Sequence, residues 1–130
     1  MQISSSMEDY LETIHLLEQR QGNVRVKDIA LEMDITMPSV SGAIKNLEKH
    51  GFVAHPRYDL IALTSKGAKI AEAIYKRHRI IKSFLIKVLE VDESIAEKDA
   101  CKIEHAISSV TLDRLSQFIN TVARGESWKR

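Results

Sequence analysis

The sequence predicts a mainly α-helical chain with one short β-hairpin near its middle. Apolar residues recur at helical spacing along most of the 130 residues, a pattern that buries one face of each helix. Two apolar stretches, Phe52–His55 and Leu60–Leu63, flank the turn-forming segment Pro56–Asp59, as in a hairpin. The length suits one compact domain or a small domain with a helical appendage.

Three helices are predicted before the hairpin, with the approximate bounds Met7–Arg20, Val26–Met33 and Thr36–Gly51. Ser5 or Ser6 can cap the first. The tight connection Asp34–Ile35 joins the other two, and the third begins at Thr36 with Pro38 in its first turn, where the missing N–H costs little. The residues expected to face the core are Met7, Tyr10, Leu11, Ile14, Leu17, Ile29, Ala30, Met33, Val40, Ile44 and Leu47.

Three more helices are predicted after the hairpin, with the approximate bounds Ser65–Leu89, Asp92–Ile107 and Ser108–Ala123. Asp92 can cap the fifth helix. The apolar face expected for that helix consists of Ile95, Ala100, Ile103 and Ile107. Residues 124–130 are expected to fray. We expect two domains, residues 1–66 with the helix pair and hairpin, and residues 67–130 with the remaining helices.

Composition places the chain among ordinary globular proteins. It is 44% hydrophobic and 28% charged, and it has no apolar run long enough to span a bilayer. The N-terminus lacks the basic and apolar regions of a secretory signal, so we expect a cytoplasmic location without membrane association. The single cysteine, Cys101, excludes an intrachain disulfide. The net charge of +1 does not by itself indicate a nucleic-acid binder.

A helix, a tight turn, a second helix and a β-hairpin follow in the order of a winged helix-turn-helix, whose second helix enters the major groove of DNA. Here that helix exposes small polar side chains, which allow close approach to bases, and lysines, which suit phosphates. These residues are Ser39, Ser41, Gly42, Lys45 and Lys49. Arg57, at the hairpin tip, is placed for the DNA backbone or the minor groove. With so few basic groups, we expect a homodimer on a two-fold site of double-stranded DNA; the alternative is a solvated face on a structural unit.

The fifth predicted helix carries Cys101, Glu104 and His105 at positions i, i+3 and i+4, which places them on one helix face. The apolar residues expected to pack this helix occupy a different face. A thiol, a carboxylate and an imidazole that converge in this way can bind a divalent transition metal.

Three further donors lie on other helices: Asp9 and Glu12 on the first and His78 on the fourth. Tertiary packing can bring them to the fifth helix. Plainer interpretations stay open, because a lone Cys101 is often a buried hydrophobe and His78 lies between two arginines, as a surface residue does. Asp9 and Glu12 can favour the positive end of their helix, and Glu104 and His105 can be an ordinary surface pair.

Six stretches follow one another in unbroken order along most of the chain: Met7–Ile14, Val24–Ala30, Pro38–Ser41, Leu63–Gly67, Lys76–Arg79 and Ala100–Ser108. They resemble the diphtheria-toxin-repressor family of metal-dependent transcriptional regulators, in particular its short manganese-transport-regulator branch. The resemblance implies a DNA-binding domain followed by a helical domain for metal binding and dimerisation. It also implies the metal ligands Asp9, Glu12, His78, Cys101, Glu104 and His105.

The ligand set implied by the resemblance is a hybrid. Asp9 matches the manganese-type members, whereas Cys101 matches the iron-type members, and a thiolate is a softer ligand than a carboxylate. We therefore expect Mn²⁺ or Fe²⁺ as the cofactor, with Co²⁺ or Zn²⁺ also bound in vitro. Glu97 stands where iron-type members contribute to an ancillary metal position. Lys82 replaces the carboxylate often found one turn after the histidine, which is a departure from the family pattern at that ancillary position.

The function predicted from these observations is a metal-activated repressor of manganese or iron uptake genes. One alternative is a winged-helix regulator that responds to a small molecule or acts without metal. Another is a metal-dependent enzyme, such as a hydrolase or a non-haem iron oxygenase. The sequence disfavours an enzyme because it shows no separate nucleophile and no glycine-rich phosphate loop.

Overall fold

The computed structural model describes residues 3–56 and 59–123. Across these ranges the chain is mainly helical with one small antiparallel sheet, which confirms the predicted fold class. It forms two compact units, and the division between them falls after Ile74, within a long helix. The domain boundary predicted after residue 66 stays a prediction. No helix in the described part of the chain is both long and apolar enough to cross a membrane.

The elements of the described residues are α1 (Ser5–Gln21), β1 (Val24–Arg25), α2 (Val26–Met33), α3 (Met37–Lys49), β2 (Val53–Ala54), β3 (Leu60–Leu63), α4 (Ser65–Lys87), α5 (Glu93–Ile103) and α6 (Ser109–Ala123). The bounds of α2 are as predicted. The largest differences are the short β1, which was not predicted, and the end of α5, which comes four residues earlier than predicted.

Helix α1 begins two residues earlier than predicted because a different serine caps it. The N-cap is Ser4, not Ser5 or Ser6, and its hydroxyl accepts a hydrogen bond of 3.2 Å from the backbone N–H of Met7. Such a bond satisfies one of the N–H groups that the first turn leaves free. The predicted apolar stripe is confirmed, with Met7 partly buried and its other members buried: Tyr10, Leu11, Ile14 and Leu17.

Two local features set the turn between α2 and α3. Asp34 adopts the left-handed conformation, with φ of 56°, and ends α2. The hydroxyl of Thr36 then accepts a hydrogen bond from the backbone N–H of Ser39 and caps α3, with Pro38 in the first turn as predicted. Gly51 follows the end of α3 with φ of 79°, a conformation that glycine adopts without strain.

Strand β3 lies at the centre of the sheet and pairs antiparallel with both β1 and β2. Val24 of β1 lies opposite Ile61, and Val53 of β2 lies opposite Leu63. Strands β2 and β3 are the predicted hairpin, whose tip residue Arg57 lies outside the described residues. The sequence did not predict β1, because two residues are too few to show the alternation of a strand.

The core of the first unit gathers the predicted faces of α1, α2 and α3 with the sheet and the start of α4. Its buried members are Tyr10, Leu11, Ile14, Leu17, Val24, Ile29, Ala30, Val40, Ile44, Leu47, Phe52, Val53, Ile61 and Ala71. Gly67 marks the closest approach within this unit. A β-carbon at Gly67 would overlap the backbone carbonyl oxygen of Phe52, so the start of α4 can pack here only with glycine.

Helix α5, in the second unit, differs most from its prediction. Asp92 caps it as predicted, accepting a hydrogen bond from the backbone N–H of Ser94, but the helix ends at Ile103 and not at Ile107. Of the predicted apolar face, Ala100 is buried as expected, whereas Ile95 is 53% exposed and Ile103 is 37% exposed. The buried face is instead a row spaced four residues apart: Ala96, Ala100 and the C-capping Glu104.

Candidate metal centre

His78 of α4 is the centre of a polar cluster inside the second unit. Its side chain is buried, with 5% of the residue exposed, so the sequence-based alternative of a solvated surface histidine is wrong. The ring nitrogen Nδ1 lies 2.6 Å from Oε1 of Glu104, and Nε2 lies 2.8 Å from Oε2 of Glu97. The side chain of Cys101 is a third hydrogen-bonding neighbour.

The local structure of α5 explains why these side chains share one side. Glu97, Cys101 and Glu104 are separated by four and then three residues, the spacing that keeps side chains on one helix face. One ligand atom from each of His78, Glu97 and Cys101 lies within 4.8 Å of the other two. A thiol, a carboxylate and an imidazole at this separation form a donor set suited to a divalent transition metal.

The hydrogen bonds to Cys101 and Glu104 raise the pKa of His78 to about 11, against the opposing effect of burial. The hydrogen bond to Glu97 acts in the same direction. The ring is therefore an imidazolium at neutral pH and donates an N–H to each of the two carboxylates. A metal ion needs a neutral imidazole, so the ion and a proton compete for one nitrogen of His78.

Glu104 supplies the observation that tests whether a metal fits. It is fully buried, and its Oε1 accepts the hydrogen bond from His78. Its second oxygen, Oε2, is also buried and has no hydrogen-bond partner among the residues that the structure describes. A buried carboxylate oxygen without a donor is costly, and a bound cation would satisfy it. The residues present therefore fit a metal ion.

Glu97 is held from its other side by Lys82 of α4. The Nζ of Lys82 lies 2.9 Å from Oε1 of Glu97 and 3.6 Å from Oε1 of Glu93. The hydrogen bond to Glu97 raises the pKa of Lys82. Burial opposes ionisation of Glu97, but the hydrogen bonds from Lys82 and His78 outweigh it and lower the pKa of that carboxyl. The sequence had singled out both residues, but not their contact.

The exposed face of α3 is the candidate DNA-binding surface. All five residues predicted on this helix are solvent-exposed: Ser39, Ser41, Gly42, Lys45 and Lys49. The opposite face is buried in the first unit through Val40, Ile44 and Leu47, so the polar face is directed outward. Thr36 donates a hydrogen bond of 2.8 Å to the Ser39 hydroxyl, which orders the first turn of the helix.

Comparison with known proteins assigns both parts of the chain. Residues 2–60 match the N-terminal DNA-binding domain of the iron-dependent repressors, and residues 64–126 match their metal-binding and dimerisation domain. The HTH-type transcriptional regulator MntR of Shouchella clausii is 37% identical over 114 residues, which cover 88% of this chain and 79% of that protein. The chain belongs to the iron-dependent repressor family. The resemblance found in the sequence is thereby confirmed.

Solved structures of similar proteins extend this result. The manganese regulator SloR is 33% identical to this family member, with a TM-score of 0.78 over 88% of the chain. A manganese-dependent transcriptional repressor, solved in complex with manganese, is 27% identical with a TM-score of 0.81, also over 88% of the chain. The chain spans about half the length of each, 53% and 52% respectively.

The remaining ligands expected of this iron-dependent repressor family member lie in different places. Asp9 and Glu12 belong to α1 of the first unit, where Glu12 is buried with 6% exposure and Asp9 is half-buried. His105 is half-buried in the turn that follows α5, because the helix ends earlier than predicted. That these three residues join His78 and Glu104 around one ion stays a prediction, as does an ancillary metal role for Glu97.

Proposed function

We propose that this member of the iron-dependent repressor family is a metal-activated transcriptional repressor that binds a two-fold DNA operator as a homodimer. The observation that carries the proposal is the second carboxylate oxygen of Glu104, which is buried without a donor in the described structure and lies on the group that also bonds His78. A site built in this way is incomplete until a cation binds.

We propose six metal ligands: Asp9, Glu12, His78, Cys101, Glu104 and His105. A bound cation supplies positive charge that neutralises the clustered carboxylates and the thiolate. His78 and Cys101 would each hold the ion through an atom freed of its proton, both protons passing to solvent, and Glu104 would hold it through the oxygen that has no partner among the described residues. Asp9 and Glu12 belong to the helix that precedes the DNA-binding pair, so ligation through them links metal to DNA recognition.

The proposed metal is Fe²⁺ or Mn²⁺, and the proposed targets are genes for uptake of that metal. Support for Mn²⁺ comes from SloR, described as a manganese regulator, and from the repressor solved with manganese. Support for Fe²⁺ comes from Cys101, because a thiolate prefers softer ions than a carboxylate does.

A fluorescence anisotropy assay tests the proposal with a labelled promoter duplex of a metal-uptake gene. The chain should bind the duplex tightly with Mn²⁺, or with Fe²⁺ under anaerobic conditions, and weakly with a chelator. Glu104→Gln should weaken metal-dependent DNA binding by on the order of 100-fold, since it replaces a negatively charged metal ligand by a neutral one. Glu72→Gln, at an exposed position of α4, is the matched control and should behave as the parent does. Equal DNA affinity with metal and with chelator would contradict the proposal.

Metal preference is tested by Cys101→Glu, compared with the parent for Mn²⁺, Fe²⁺, Co²⁺ and Zn²⁺. Replacing the thiolate by a carboxylate should move the ratio of affinities towards Mn²⁺ by about tenfold or more, because the harder donor suits the harder ion. The parent bound to Co²⁺ should show a thiolate-to-cobalt absorption band that the variant lacks. An unchanged order of affinities would show that Cys101 does not set the preference.

A further inference from the structure

Four side chains of the second unit form a continuous chain of hydrogen bonds. Lys82 donates to Oε1 of Glu97 at 2.9 Å, and Oε2 of Glu97 accepts from Nε2 of His78 at 2.8 Å. The Nδ1 of His78 then donates to Oε1 of Glu104 at 2.6 Å. Both oxygens of Glu97 are therefore occupied, whereas Glu104 keeps one oxygen without a partner in the described structure.

The two nitrogens of His78 consequently face different surroundings. On the Nδ1 side lies Glu104, which is fully buried and has an oxygen available to a cation. On the Nε2 side lies Glu97, whose side chain is 49% exposed and already paired with an ammonium group. A histidine that binds a metal through one nitrogen commonly donates its other N–H to a carboxylate, which fixes the orientation of the ring. The Nε2 of His78, whose N–H is donated to the Glu97 carboxylate, matches the nitrogen that does not bind the metal.

We infer that Lys82 and Glu97 are a positioning pair for His78: Lys82 holds Glu97, Glu97 accepts the Nε2–H of His78, and Nδ1 is the nitrogen that the ring offers to the metal. The inference rests on the proposed metal binding by His78. It removes Glu97 from the metal ligands, because both of its oxygens are engaged in holding the ring and the lysine.

Removing the Lys82 ammonium should change metal affinity in opposite directions for the two possible roles of Glu97. If Glu97 orients His78, loss of the Lys82 ammonium loosens the ring and lowers metal affinity. If Glu97 is itself a ligand, Lys82 competes with the ion for the same carboxylate, and loss of the ammonium raises metal affinity. Loss of the Lys82 ammonium also removes the ion pair with Glu93, whose Oε1 lies 3.6 Å from the Lys82 Nζ. The variant Glu93→Gln therefore measures how much of the change in metal affinity comes from that ion pair.

Titration of the full-length protein with Co²⁺, followed by absorbance, tests this inference. Lys82→Gln and Glu97→Ala should each lower Co²⁺ affinity about 10- to 100-fold while the thiolate-to-cobalt band of Cys101 persists at saturation. Lys82→Arg keeps the cation and should restore affinity to within about threefold of the parent, a small fraction of that loss. Lys87→Gln, at an exposed lysine near the end of the same helix, is the matched control and should change nothing.

A second measurement does not depend on affinity. Long-range ¹H–¹⁵N spectra of the Zn²⁺-bound parent report which ring nitrogen of His78 carries the proton. We expect a protonated Nε2 and a metal-bound Nδ1, and a protonated Nδ1 would overturn the inference. Unchanged or tighter Co²⁺ binding by Lys82→Gln would overturn it while leaving the proposed function intact. A parent chain that binds no Co²⁺ would overturn both.

Discussion

His78 holds a proton where the proposed function requires a metal. Its pKa of about 11 comes first from the hydrogen bond to Cys101 and then from that to Glu104, so the imidazolium is the charge partner of the metal-free cluster. Because the folded-state pKa is raised above the ordinary value of about 6.5, these bonds stabilise the metal-free fold fully below that pH. Their contribution is lost as the pH rises towards about 11.

Metal affinity should therefore rise with pH. Between pH 6 and pH 8.5 the metal-free His78 is protonated, so each bound ion displaces one proton from it and the association constant gains about tenfold per pH unit from this group. Calorimetric titration with Mn²⁺ in two buffers of different ionisation enthalpy measures the protons released. His55→Gln, which changes a histidine of the hairpin, is the control. A pH-independent association constant would rule out the proton at His78.

The sequence predicted these individual donors better than their environment. Cys101, Glu104 and His78 were singled out by residue type and spacing, which are visible in a single chain. That His78 is buried between two carboxylates depends on side-chain contacts between α4 and α5, which spacing within one helix does not reveal. For the same reason the contact between Lys82 and Glu97, 15 residues apart, appeared only in the structure.

Among the elements, α5 shows why an apolar pattern can mislead. Counting isoleucines places Ile95 and Ile103 in the core, yet both are substantially exposed. The buried row consists instead of two small residues, Ala96 and Ala100, followed by Glu104. A carboxylate can be buried at this last position because His78 forms a hydrogen bond with it. In α1 to α3, by contrast, the apolar stripes and caps agree with one another, and the prediction of their buried faces is confirmed.

The packing at the start of α4 requires glycine at position 67, which can be tested. Gly67→Ala should destabilise the fold by about 1–3 kcal/mol, because its β-carbon would overlap the carbonyl oxygen of Phe52. Gly42→Ala is the matched control: apart from its chain neighbours and the backbone of its own helix, no atom of the described residues lies within 4 Å of a β-carbon there, and alanine is the better helix former. That control should be more stable than the parent by about 0.5–1 kcal/mol. Urea denaturation of the metal-free protein measures both, and similar midpoints for the two variants would refute the packing argument.

At the scale of the whole molecule, the proposed function requires coupling between metal and DNA. Thermodynamic linkage makes this coupling reciprocal, so a saturating operator duplex should tighten Mn²⁺ binding by the same factor by which Mn²⁺ tightens DNA binding. We expect a factor of about 5–150, the usual range for such coupling. Titrations of Mn²⁺ with and without DNA, and of DNA with and without Mn²⁺, measure the two factors independently.

A control for this coupling comes from the surface of α3. Lys45→Ala removes an exposed cation from the candidate DNA-binding face and should weaken DNA binding both with and without metal. Its affinity for Mn²⁺ in the absence of DNA should equal that of the parent. If both coupling factors of the parent equal one, metal and operator bind independently and repression by metal has no thermodynamic basis.

The imidazolium bridge between Glu97 and Glu104 has a consequence for how the protein behaves when metal is withdrawn. A small zinc-dependent domain unravels on chelation because nothing replaces the charge of the ion. Here the protonated ring of His78 bonds both carboxylates, so we expect the protein to stay folded when a chelator removes the metal. The same molecules would then bind metal again after each period of metal shortage, without refolding.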